Sequence, residues 1–144
     1  YMDTQEAEVR RQLNGTGVSV SRNGNELVLN MPSDITFRSG SADLQPEFSR
    51  TLGSVALVLN KYRLTSISIV GHTDSDGSAT FNQNLSISRA RSVAGVLNSR
   101  GVNAMRILTR GEGESRPVAS NATSSGKSQN RRVELRIIPQ KNGF

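Results

Sequence analysis

The sequence predicts an α/β (α+β) sandwich: a mixed sheet with helices mainly on one face, in the order β-hairpin, α, β, α, β, β. Three observations carry this reading. Alternating apolar residues flank an Asn23–Gly24 pair, the pattern of a hairpin. Two later segments, around Phe48–Leu59 and Ala90–Leu97, repeat apolar residues at helical spacing. Short strand-like runs follow them at Ile67–Val70, Ile107–Thr109 and Val133–Ile137.

Taken in order, residues 1–16 are charged and helix-compatible with little apolar stripe, and are expected to form an N-terminal linker or helix. Val18 and Val20, then Leu27 and Leu29, alternate on either side of Asn23–Gly24, where Asn-Gly favours the positive φ angles of a type I′ turn. A Ser/Gly-rich connector, SDITFRSGSADLQP, holds one aromatic, Phe37. Pro46 suits the first turn of a helix, since its missing N–H is not needed there. Phe48, Leu52, Val55 and Leu59 then share one helix face.

Ile67 and Ile69 mark a half-buried strand, and 71–80 is a loop dense in Gly, Ser, Thr and Asp. The next helix is expected over Ala79–Ser99, burying Ala90, Val93, Ala94 and Leu97 and ending at Gly101. After a short turn at Asn103–Arg106 comes the strand Ile107–Thr109. A polar loop, GEGESRPVASNATSSGKS, leads through a short helix before Asn130 to the final strand. Two strand-to-strand connections pass through helices, so the central strands are expected to be parallel, with the last strand antiparallel. One domain over 17–139 and a tail at 140–144 follow from this layout.

Composition narrows the function classes. A chain of 144 residues can bury a core as one domain. It has no cysteine, which excludes disulfides and thiolate metal sites. Lys and Arg outnumber Asp and Glu by 18 to 12, a formal charge of +6 that suits acidic partners. The basic residues are scattered apart from Arg131–Arg132, and aromatics make up only 4%, which argues against nucleic acid as the partner. No apolar run approaches the roughly 18–20 residues of a membrane span. The sequence opens on Tyr1 and shows no signal peptide, so it is expected to be part of a longer protein.

Most candidate sites fail on their own chemistry. His72 is the single histidine and has no partners for a zinc set. Asp74–Gly77 reads DSDG like the start of a calcium loop, but position twelve is Leu85 rather than a bidentate Glu. GEGES lacks the Lys-Ser/Thr of a phosphate loop. Glu112 and Glu114 could pair as hydrolase carboxylates, though acids in a polar loop are usually solvated. No metal, cofactor or catalytic residue is expected.

Asp74 and Arg89 differ. Asp74 follows the end of a strand, where open α/β sheets commonly bind ligands. Asn82, Leu85 and Arg89 fall at i, i+3 and i+7 on one helix stripe beside the core face. Two arrangements are open: an Asp–Arg bridge tying loop to helix, or a cleft whose guanidinium takes a carboxylate while Asp74 takes an ammonium. The second fits a zwitterionic amino-acid centre.

The segment G-H-T-D…N-x-x-L-S-x-x-R-A-x-S-V over 71–93, with N-R-R-V-E at Asn130–Glu134, resembles the OmpA-like C-terminal domain. This is the peptidoglycan-binding module shared by OmpA, the peptidoglycan-associated lipoprotein and MotB. The run GTGVSVSRNGNELVLNMPSDITF looks closest to the YiaD-type outer-membrane lipoproteins. The resemblance implies a non-enzymatic domain on the periplasmic side of a Gram-negative outer membrane, gripping meso-diaminopimelate of the wall's stem peptide. It implies that Asp74 binds the ligand's ammonium and Arg89 its carboxylate. Asn82, Leu85 and Phe37 would line the pocket, Thr73 and Gly77 would shape the loop, and Asn130 and Arg131 would form a supporting rim. Many relatives carry an acid after the loop aromatic where this chain has Arg38.

Overall fold

The computed structural model describes residues 1–140, so the expected tail, 140–144, lies outside the described residues but for Gln140. The elements are α1 (Met2–Leu13), β1 (Ser19–Asn23), β2 (Glu26–Pro32), α2 (Ser33–Thr36), α3 (Pro46–Lys61), β3 (Thr65–His72), α4 (Ala79–Ser99), β4 (Ile107–Gly111), α5 (Ser124–Asn130) and β5 (Arg132–Pro139), with a 3-10 turn at Ala104–Arg106. The five strands form one mixed sheet in the order β1-β2-β5-β3-β4, the α/β architecture that the patterning predicts.

One feature of the topology departs from expectation. β3 and β4 pair in parallel, with Ile67 opposite Ile107 and Gly71 opposite Gly111. β2 and β3 also run the same way, but they are not neighbours: β5 lies between them, antiparallel to both. The crossover through α3 leaves a gap one strand wide, and the last strand fills it. Its inner residues Val133, Leu135 and Ile137 sit opposite Met31, Leu29 and Leu27 on one side and Gly71, Ile69 and Ile67 on the other. A strand buried between two others on an apolar face has its register fixed by that face.

The hairpin forms with Asn23 opposite Glu26, so the two turn residues are Gly24 and Asn25. Gly24 has φ +62° and no non-glycine residue has positive φ among the described residues. A single positive φ at the first turn position belongs to a type II′ turn rather than the expected type I′.

The predicted core forms on one side of the sheet. Phe48, Leu52, Val55 and Leu59 of α3 and Ala90, Val93 and Leu97 of α4 are buried with the inner residues of β2, β3 and β5, while Ala94 is half-buried. Pro46 opens α3, and Ser78 caps α4 by accepting from Phe81 N at 3.1 Å, satisfying a free N–H of the first turn. α4 crosses the ends of β3 and β4 at the paired glycines Gly71 and Gly111. A Cβ on Gly71 would strike the backbone carbonyl of Ser86, and one on Gly111 would strike Ser86 and Ile87. This close approach fixes the first half of α4 over the strand ends.

Residues 1–16 contain α1, which packs against α3 and β1. It buries Met2, Gln5, Val9 and Leu13, one stripe of the helix. Glu8 also receives Lys61 Nζ at 2.6 Å and the Tyr62 hydroxyl at 3.1 Å.

A candidate ligand cleft at the strand ends

The position of β5 determines one wall. Arg132 pairs with Pro32 of β2 on one side and His72 of β3 on the other. Ser33 N continues the first pairing by donating to Arg131 O at 2.9 Å. Asp34, just past β2, and Asp74, just past β3, therefore arrive on either side of Arg131. The guanidinium donates from Nε to Asp34 Oδ1 at 2.9 Å, from Nη2 to Asp34 Oδ2 at 3.1 Å and from Nη1 to Asp74 Oδ2 at 2.6 Å. Hydrogen bonding to Arg131 holds the Asp34 carboxyl below its ordinary value, and the Asp34 bond is the main cause that pushes Arg131 further up. Both groups stay charged.

The second wall comes from α4 and the connector after α2. Arg89 is 5% exposed. Its Nε donates to Ser41 O at 2.8 Å, and its guanidinium carbon lies 5.0 Å above the Phe37 ring centroid, a cation–π contact. Ser92 Oγ adds a bond to Ala42 O at 2.8 Å, and Phe37 bridges Leu44 across the base of the loop. The connector is thus clamped to α4. Among the described residues the terminal nitrogens of Arg89 make no hydrogen bond or ion pair. Burial pulls this guanidinium down from its ordinary value, opposed first by the field of Asp34.

Between the walls lies a cleft of about 620 Å³. Phe37, Thr73, Asp74, Asn82, Leu85, Arg89 and Arg131 all line it. Asp74, 6% exposed, does not pair with Arg89 among the described residues; its charge partner is Arg131. Its Oδ1 accepts from Asp76 N at 3.0 Å, which shapes the loop as an Asx turn. Asn82 Nδ2 reaches Asp76 O at 2.9 Å, Glu114 Oε1 at 3.0 Å and Asp74 O at 3.3 Å. That amide pins the Asp74 loop and the GEGES loop to α4.

Two of the anticipated residues stand outside the cleft. Gly77 has φ +85° with open space where a Cβ would go, so it serves the turn of the loop. Asn130 is fully buried: Oδ1 accepts from Val118 N and Ala119 N at 2.8 and 3.0 Å, and Nδ2 donates to Ala119 O and Asn121 Oδ1. Asn121 Oδ1 in turn accepts from Ser75 N at 3.3 Å, so Asn130 acts on the Asp74 loop through one intermediary. Arg131, anticipated as rim, is the central cation of the acidic wall. Arg38 is exposed and does not line the cleft.

Asp34 is the residue that sequence reasoning missed. Its partner is 97 positions away, and the signal that could have found it is an Asp three residues before the loop aromatic. Ser33 lines the cleft beside it, and its buried hydroxyl has no partner among the described residues.

The other candidates are engaged in structure. Glu112 pairs with Arg110 at 2.9 Å, and Glu114 takes the Asn82 amide. His72 is buried and held neutral, its pKa lowered to about 4 mainly by burial and next by Arg132.

The chain also resembles known proteins in sequence and fold. The chain matches the OmpA family over residues 36–131. It is 50% identical over 139 residues to the probable lipoprotein YiaD of Escherichia coli K12, covering 96% of this chain and 64% of that relative. It is 40% identical over 109 residues to the outer-membrane lipoprotein YfiB of Pseudomonas aeruginosa, covering 76% of this chain and again 64% of the relative. The chain thus spans less than two thirds of the length of either. Among solved structures, the cell wall anchor of the type VI secretion system (T6SS) from Pseudomonas aeruginosa superposes with a TM-score of 0.83 at 29% identity, covering 94% of this chain and 99% of that one. By this match over most of its length, the chain belongs to the OmpA family, whose domain is a non-catalytic binding domain.

Proposed function

We propose that this chain binds peptidoglycan through the free zwitterionic centre of meso-diaminopimelate in the stem peptide, and so anchors an outer-membrane or envelope protein to the cell wall from the periplasmic side. The observation that carries this reading is the guanidinium edge of Arg89, buried at the cleft wall and unpartnered among the described residues, opposite a wall bearing Asp74 and Asp34. The cleft is lined by acids, Asp34, Asp74 and Asp76, and by the arginines Arg89 and Arg131, which suits a ligand that carries both signs.

In this reading the ligand carboxylate takes the planar fork of Arg89, reversing the effect of burial on that group. The ammonium sits against the acidic wall, using the lone pairs of Asp74 and Asp34 that Arg131, Asp76 N and the Ser128 hydroxyl leave open. Phe37 and Leu85 pack against the methylene chain. An ordinary residue inside a peptide has its α-amino and α-carboxyl groups in amide bonds, so the pocket selects the side-chain centre of a diamino dicarboxylic acid. The wall presents many copies, and modest affinity per site still holds the protein in place.

The test is titration of free meso-diaminopimelate followed by amide NMR, together with pull-down on insoluble peptidoglycan. The expected outcome is a set of shifts clustered at 33–37, 71–77, 82–89 and Arg131, and pull-down that Arg89→Ala abolishes. Parent-like pull-down by both Arg89→Ala and Asp74→Ala would refute the site.

A further inference from the structure

Beyond Arg131 the surface falls into a second groove of about 300 Å³, between the outer face of β2, the start of β5 and α5. Arg131 lines both hollows, and Ser128 of the second groove donates to Asp34 of the first at 3.0 Å, so the two adjoin. The charges of the second groove are already matched. Arg132 donates to Glu134 Oε2 at 2.8 Å and to the carbonyls of Asn130 and Arg116 at 3.2 and 3.1 Å. Glu134 also takes Arg136 at 3.5 Å, and Arg131 is held by its two acids.

What remains on the walls is neutral. Asn30 and Gln129 each present a side-chain amide with no hydrogen-bond partner among the described residues, alongside Pro32 and the 58%-exposed Val118. A charged ligand would have to compete with ion pairs already formed. An acetamido sugar would not: its hydroxyl and amide groups match free amides as donor and acceptor, and its C–H face and acetyl methyl suit Pro32 and Val118.

We propose that this groove is a saccharide subsite, taking a neutral N-acetylated sugar of the same polymer whose diamino acid occupies the first cleft. The inference rests on the reading of that cleft given above. A short peptide stem joins sugar to diamino acid in the wall, and a stem lying over Arg131 reaches both hollows at once. The second contact is then intramolecular and strengthens the first.

The experiment is calorimetric titration of the whole chain with two probes, free meso-diaminopimelate and a disaccharide–tripeptide that contains it. The parent is expected to bind the second probe on the order of tenfold more tightly. In the double variant Asn30→Ala/Gln129→Ala that advantage disappears while affinity for the free amino acid and the melting temperature stay unchanged. Equal binding of both probes by the parent, or an advantage that survives in the double variant, overturns the saccharide subsite alone. Failure of the parent to bind either probe overturns the cleft reading and this one with it.

Discussion

Arg89 and Arg131 face one another across the same cleft, and their surroundings are opposite. Arg131 has two carboxylates within hydrogen-bond distance, at 2.6 to 3.1 Å, and is pushed up in pKa. Arg89 is more deeply buried, rests on an aromatic ring and a carbonyl, and is pulled down. A cation already matched by anions organises structure. A buried cation without an anion is a standing cost that a ligand can relieve. In the proposed reading the acidic wall presets the pocket, and the Arg89 wall receives the ligand's negative charge.

The strongest way to break that contrast is Arg89→Ala. Removing the guanidinium should cost about 2–5 kcal/mol of ligand binding, a loss of roughly 30-fold to several thousand-fold by calorimetric titration. The melting temperature should change little, because removing a desolvated charge offsets the lost Ser41 bond and Phe37 contact. Arg89→Lys should recover only part of the affinity, since an ammonium lacks the planar fork. A variant that keeps parent affinity would remove Arg89 from the site.

Asp74→Asn should behave differently, losing both binding and stability. It strips one charged partner from Arg131 inside a buried contact, for which about 1–3 kcal/mol is the ordinary range. A thermal melt that falls for Asp74→Asn and not for Arg89→Ala would sharpen the distinction between the walls; equal melts would erase it. Asp34→Asn should cost less than about 1 kcal/mol, because its side chain is 49% exposed and solvent screens the pair.

The smallest effect expected is in acid. The Asp34 carboxyl is held below 3.8 by Arg131. Its contribution is therefore present above that value and is lost as pH falls through the lower folded-state value. Denaturant midpoints measured from pH 5 down to 2 should fall slightly more steeply for the parent than for Asp34→Asn. Parallel curves would show that the Asp34 bond adds nothing to stability.

What could be read in advance follows from how far apart the partners are. Asp74, Asn82, Leu85 and Arg89 belong to one contiguous strand–loop–helix unit, so local spacing was enough to bring them to a common surface. Asp34 and Arg131 meet only because β5 inserts between β2 and β3, and no local pattern reports which gap a strand will fill. Arg131 was accordingly placed on the rim. The stripe of α1 was hidden for another reason: one of its four buried positions is Gln5, whose amide atoms have no partner among the described residues. The hairpin was legible from alternation, whereas its turn type depended on a one-residue shift that places Gly24 first.

The central place of β5 also bears on how such a domain acquires its shape. A chain delivered from its N-terminus, whether by a ribosome or through a membrane pore, presents the hairpin and the β3–β4 pair long before the strand that joins them. Until then each half exposes a bare hydrogen-bonding edge, and neither acid has its arginine. Vectorial delivery thus makes the acidic wall of the cleft a late feature of this domain to form, after both halves of the sheet that it joins.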